Sequence, residues 1–128
     1  RPAPNRWWAS RKKSASFFES VTAMKQISVQ DLSGWLTQAA PPMVLDVREP
    51  WEVALAKVPG SVAIPMHEIP ARLAELPTQQ AIVCLCHHGM RSMQVAVFLE
   101  RNGFDTIYNL IGGIDAWSRE IDPAVPTY

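Results

Sequence analysis

The chain has only two cysteines in its 128 residues, Cys84 and Cys86, and they stand two apart within an apolar run. This is not the spaced, even set of a secreted disulfide scaffold, so a reducing compartment and a cytoplasmic location are expected. No apolar stretch approaches the roughly 20 residues that a membrane-spanning helix needs, and the first residues lack the apolar centre of a secretory signal. Net charge is missing too, because 12 Lys and Arg face 12 Asp and Glu. That balance conceals a division: residues 1–23 carry five basic residues against Glu19 alone, whereas residues 24–128 carry seven against eleven acidic ones. An acidic body argues against nucleic acid as the main partner. Internal repeats and low-complexity tracts are absent.

What is present is the composition of a soluble globular protein, 48% hydrophobic and 19% charged, at the length of one domain. Such a chain can bury a core without disulfides or metal. Residues 1–23 mix Pro, Ser and basic residues with Trp7-Trp8 and Phe17-Phe18 and have no clear period, so they read as an N-terminal extension to a domain over 24–128. Either the natural start is Met24, or the extension docks on a partner, an anionic lipid surface or the domain's own flank.

From Ser28 the pattern is regular. Ser28 and Asp31 form a capping-box-like start, and Val29, Leu32, Trp35 and Leu36 share one helical face ending before Pro41-Pro42. Met43 to Val47 reads as a buried strand, and Pro50 opens a short helix through about Leu55. A turn over 58–61, a short strand over 62–64 and a helical segment from Ile69 to Leu76 follow. Ala81 to Leu85 is the most apolar strand, Ser92 to Asn102 a helix stopped by Gly103, Thr106 to Leu110 a last strand, and Ile114 to Arg119 a closing helix after a Gly112-Gly113 turn. Strands alternating with helices predict an α/β fold with a mainly parallel central sheet and helices on both faces. The functional site of such a fold lies at the carboxyl ends of its strands, where Asp46 to Glu49 and Cys86 to Arg91 are expected to meet.

Cys86 to Arg91 joins a buried strand to a helix. A cysteine placed there meets the unpaired amides and positive dipole end of the helix, which favour a thiolate. Gly89 permits a positive φ that turns loop amides inward, and Arg91 adds a full charge. Cys84, by contrast, reads as a small buried hydrophobe within the strand.

The loop Cys86-His87-His88-Gly89-Met90-Arg91-Ser92 resembles the active-site loop of single-domain rhodaneses. Three other segments agree in the family's order: Leu45-Asp46-Val47-Arg48-Glu49, Val58-Pro59-Gly60-Ser61-Val62-Ala63-Ile64-Pro65, and Leu110-Ile111-Gly112-Gly113-Ile114-Asp115-Ala116-Trp117. The resemblance spans about residues 26–120. One departure is Lys57, where the family often has histidine before the turn, a position of structural rather than catalytic weight.

The resemblance implies a rhodanese-like three-layer fold and a thiosulfate sulfurtransferase without metal or organic cofactor. Cys86 would carry sulfur as a persulfide between a small anionic donor and a thiol acceptor, small molecule or protein, or cyanide in the test tube. His87, His88, Gly89, Met90, Arg91 and Ser92 would form the loop that binds the anion, with Asp46 and Arg48 supporting it, Asp46 structurally rather than as a base. The Cys and His cluster does not read as a metal site, since adjacent histidines diverge and no second ligand pair closes a tetrahedron. Trp35, Trp51 and Trp117 read as packing residues, with Trp51 the one able to line the pocket mouth. The nearest rivals are a persulfide carrier served by a partner such as a cysteine desulfurase, and a phosphatase or arsenate reductase. Rhodanese-related phosphatases have five residues between Cys and Arg, and here there are four. A docking module without catalysis fits poorly with the retained Cys86 and Arg91.

Overall fold

Ser28 opens the first helix as its sequence predicts: its hydroxyl accepts the Asp31 N–H at 3.0 Å, and the Asp31 carboxylate faces the Ser28 amide in return. The computed structural model describes residues 24–128, and the expectations for residues 1–23 lie outside the described residues. The elements run β1 (Lys25–Ile27), α1 (Val29–Trp35), β2 (Met43–Asp46), α2 (Pro50–Leu55), β3 (Val62–Ala63), β4 (Ile82–Leu85), α3 (Met90–Arg101), β5 (Ile107–Leu110) and α4 (Gly113–Glu120). Two 3-10 turns, Met66–Glu68 and Pro70–Glu75, lie between β3 and β4.

All strand pairs are parallel, in the order β1-β5-β4-β2-β3. Alternation along each strand makes two cores, one per face. Val44, Val83, Leu85, Tyr108 and Leu110 pack against α1 and α4 through Leu32, Trp35, Ile114 and Trp117. Leu45, Ile82, Cys84 and Ile107 pack against α3 through Val95, Ala96 and Leu99, and against Ile69 and Leu76. The three-layer α/β architecture is therefore as expected, with the sheet as the shared middle layer.

Four details differ from the sequence reading or sharpen it. β1 was not foreseen, because Lys-Gln-Ile is too short and polar to read as a strand until β5 offers it a parallel edge. The helical segment expected from Ile69 to Leu76 is of the 3-10 kind, broken at Arg72 with φ −120°. Pro65, Pro70 and Pro77 leave no room for a full run of i to i−4 bonds there. α3 begins at Met90 rather than Ser92, so Met90 and Arg91 belong to its first turn. Finally, Gly113 is the first residue of α4 and not part of a free turn.

That last point positions the functional loop. The Ile114 and Asp115 N–H groups donate to the carbonyls of Cys86 and His87 at 2.9 and 3.1 Å. Gly113 holds φ +57°, and a Cβ built there would lie 2.3 Å from the Cys86 oxygen and 2.4 Å from the His87 oxygen. Both obstacles are backbone, so nothing can swing aside. Gly113→Ala is expected to lower stability by about 3 kcal/mol or more, with a matching fall in melting temperature. Gly34→Ala is the control: the added methyl meets nothing within 4 Å, and a gain of about 0.5–1 kcal/mol is expected in α1. Thermal melts that rank the two alike would overturn this account of the α4 docking.

Candidate active site

Cys86 follows β4 directly and faces the same side as Cys84, toward α3. Its Sγ accepts the Gly89 N–H at 3.1 Å and lies 3.3 Å from Ser92 Oγ in the first turn of α3. Gly89, at φ +110°, is the N-cap of that helix. The carbonyls of Cys86 and His87 are held outward by α4, and that of Gly89 accepts Asn109 Nδ2 at 3.1 Å. With those oxygens turned away, the loop offers the sulfur an amide and the positive end of a twelve-residue helix. Cys84 lacks this setting: burial, with Cys86 as its neighbour, pushes its thiol well up.

Beside the loop lies a buried polar network. Arg48 is fully buried and all five of its guanidinium N–H groups have acceptors. Nε and one terminal nitrogen reach the Asp46 carboxylate at 2.9 and 2.6 Å; the carbonyls of Ala56 and Glu52 and the Tyr128 hydroxyl, at 2.6, 3.2 and 2.8 Å, take the rest. The Tyr128 hydroxyl in turn donates to Glu52 Oε2 at 2.7 Å. Glu52 also accepts the Glu49 N–H at 3.0 Å as part of the box that caps α2. Its main partner is Arg91, whose two terminal nitrogens meet its two oxygens at 2.6 and 2.9 Å.

The structure thus brings Cys86, Gly89, Arg91 and Ser92 together and sets Asp46 and Arg48 as an ion pair under the neighbouring strand end. Asp46 accepts the Arg48 backbone N–H at 3.1 Å as well as its side chain. Arg91 differs from expectation. A buried carboxylate requires a cation, and Glu52 takes the guanidinium that the sequence reading reserved for a donor anion. His87 forms a wall, its ring stacked at 4.1 Å on Tyr128 and 4.0 Å from the His88 ring. His88 is exposed and 4.0 Å from the Asp115 carboxylate, and Met90 is exposed. Trp51 stands at the edge of this wall, 6.1 Å from the Tyr128 ring, whereas Trp35 and Trp117 are core residues.

Three residues of the site escaped the sequence reading. Glu52 had a signal, its three-residue spacing from Glu49 at the start of a helix. Asn109 had another, a lone amide within the apolar strand Ile107–Leu110. Nothing local marks Tyr128, which reaches the site only through the fold.

The hydrogen bonds from Arg91, foremost, hold Glu52 down to about 2 against an ordinary 4.5. A depressed carboxylate contributes stability that is fully present above its unfolded value and is lost as pH falls through the folded one. The gap in melting temperature between wild type and Glu52→Gln is therefore expected to be constant above pH 4.5 and to close as pH falls toward 2. A gap that stays the same from neutral pH to about pH 2 would mean that the pair adds nothing through its charge.

Comparison with known proteins places this geometry. The profile of the rhodanese-like domain family matches residues 28–120. A sulfurtransferase of Allochromatium vinosum is 35% identical over 102 residues, covering 80% of this chain and 95% of that protein. The Rhodanese-like/PpiC domain-containing protein 12 of Arabidopsis thaliana, a chloroplastic protein, is 40% identical over 89 residues, which are 66% of this chain but 30% of that longer protein. A rhodanese-like domain protein from Staphylococcus aureus has a solved structure with TM-score 0.72 and 31% identity, covering 82% of this chain and 99% of that one. That sulfurtransferase and a relative from Bacillus subtilis named a putative sulfur carrier protein indicate sulfur transfer at the level of the family. The chain belongs to the rhodanese-like domain family.

Proposed function

We propose that this domain moves a sulfane sulfur from a small anionic donor such as thiosulfate to a thiol acceptor, or to cyanide in the test tube, through a persulfide on Cys86. The observation that carries this reading is the Cys86 sulfur facing the Gly89 amide at the N-terminus of α3, a setting that suits an anionic sulfur. In the first half-reaction the Cys86 thiolate attacks the outer sulfur of thiosulfate. The Sγ–S bond forms, the S–S bond of the donor breaks, and its electron pair leaves with sulfite. The negative charge moves to the outer persulfide sulfur. In the second, an acceptor thiolate or cyanide attacks that outer sulfur, and Cys86 departs as the thiolate it began as. The amide and helix end serve as fixed electrostatic stabilisers of each anionic state.

The Arg91–Glu52 pair refines the donor side. With its charge balanced by a carboxylate, Arg91 offers a dianionic donor less attraction than a free guanidinium would, and the pull rests mainly on the loop amide and helix dipole. The same observation favours a second reading, a carrier loaded with persulfide sulfur by a partner protein such as a cysteine desulfurase. Comparing thiosulfate with a small alkyl persulfide, which hands over its outer sulfur as the alkyl thiolate leaves, separates the two.

Protein treated with thiosulfate is expected to gain the mass of one sulfur atom on intact mass measurement. Cys86→Ser should abolish that gain and lower cyanide-dependent turnover by a factor on the order of 1000 or more, whereas Cys84→Ser should keep both. Sulfur mapped to Cys84 would overturn the assignment, and loading by the alkyl persulfide alone would favour the carrier reading.

A further inference from the structure

Ser92 and Asn109 present a count that does not close in every state of Cys86. Ser92 Oγ lies 3.3 Å from Cys86 Sγ and 2.5 Å from Asn109 Oδ1, and both residues are buried. The hydroxyl has one hydrogen. The Asn109 amide cannot turn round, because its nitrogen donates to the Gly89 carbonyl at 3.1 Å and to Gln26 Oε1 on β1 at 2.9 Å. Its oxygen therefore faces Ser92 and can only accept. When Cys86 is a thiol the chain is complete: S–H donates to Ser92, and Ser92 donates to Asn109. When Cys86 is a thiolate, sulfur and amide oxygen compete for one proton.

We propose that Asn109 is a positioning residue that decides which way the Ser92 hydroxyl points, toward Asn109 when Cys86 is a thiol or the inner sulfur of a persulfide, and toward Sγ when it is a thiolate. Loading moves the charge to the outer sulfur and leaves Sγ a weak, neutral acceptor, so the hydroxyl returns to Asn109 without any proton leaving it. Asn109 thereby disfavours the empty thiolate relative to the sulfur-loaded state. The functional consequence rests on Cys86 being the sulfur-carrying thiol, but the hydroxyl's direction can be read without turnover.

The register explains why these groups meet. Asn109 pairs with Cys84 across β5 and β4 and shares a face with Ile107, toward α3. The first turn of α3 brings Ser92 down onto that face, between Asn109 and the next cysteine along the strand. The charged and titratable groups around Sγ are common to every variant below. They are Arg91 on α3 with Glu52 of α2 and Tyr128 behind it, the Asp46–Arg48 pair at the end of β2, His87 in the loop, Asp115 on α4 and the Cys84 thiol on β4.

The test is the pH dependence of iodoacetamide alkylation, mapped to Cys86 by peptide mass, in the full chain. Ser92→Ala removes the only side-chain donor to the sulfur among the described residues and should move the midpoint up by about half to one pH unit. Asn109→Leu frees the hydroxyl for sulfur and should move it down by about one unit, with Asn109→Ala used if Leu is not accommodated. The double variant should sit with Ser92→Ala. Asn109 variants that move the midpoint up or not at all would overturn the proposal, as would a Ser92→Ala midpoint unchanged from wild type. Opposite shifts in a protein that never takes up sulfur would leave this proposal standing and sink the proposed function instead.

Discussion

The orientation of three carbonyl groups underlies the rest of this site. A loop of four residues between a strand and a helix has amides and carbonyls in equal number, and it can favour an anion only if the carbonyls find partners elsewhere. Here α4 supplies two of them: its first N–H groups, which a helix always leaves without internal acceptors, bond to Cys86 and His87. Asn109 supplies the third. Two deficits, the open start of α4 and the surplus oxygens of the loop, cancel one another. Gly113 is the condition for this, since any side chain would stand where the two backbones meet.

The second constraint is charge kept out of water. Asp46, Arg48 and Glu52 are all buried, which is costly unless each lone pair and proton is matched. They are matched: Arg48 uses every donor it has, and Glu52 receives from Arg91, Tyr128 and the Glu49 amide. The Tyr128 hydroxyl joins the two pairs by accepting from one and donating to the other, while its ring supports His87. Removing either member of a pair would leave an uncompensated ion inside the protein. The network therefore fixes α2, the strand end and the start of α3 relative to one another, and in doing so engages Arg91.

Much of this was legible in the sequence, for identifiable reasons. Ser28-x-x-Asp31, Pro50 and Gly103 are local signals whose physics needs no partner, and the elements they bound are where they predict. The apolar runs over 43–47 and 81–85 could only be inner strands, and that placed Cys86 at a strand end. What could not be read depends on contacts between distant residues. β1 is a strand only because β5 lies beside it, and Tyr128 matters only because residues 121–128 return to α2. Arg91 is instructive: the carboxylate that pairs with it stands 39 residues away on another helix. A charged residue in a loop reads as available until the fold reveals the buried carboxylate that claims it.

The two cysteines show how finely register divides function. They point to one face of the sheet, two residues apart, which along a strand is about 6.6 Å. Cys84 lies in the apolar cluster with Val95 and Leu99, where desolvation, with Cys86 as its neighbour, raises its thiol. Cys86 is one step further, beyond the last strand residue, where the first turn of α3 provides an amide and a hydroxyl. The favourable field of a helix end fades within its first turn, so a displacement of this size separates a packing residue from a candidate nucleophile. A slip of one residue would be worse, for it would turn both sulfurs to the opposite face, against α1 and α4 and away from the start of α3. The apolar residues that hold β4 in register, Ile82, Val83 and Leu85, are thus what places the sulfur, and the chemistry of the loop is set by packing several ångströms from it.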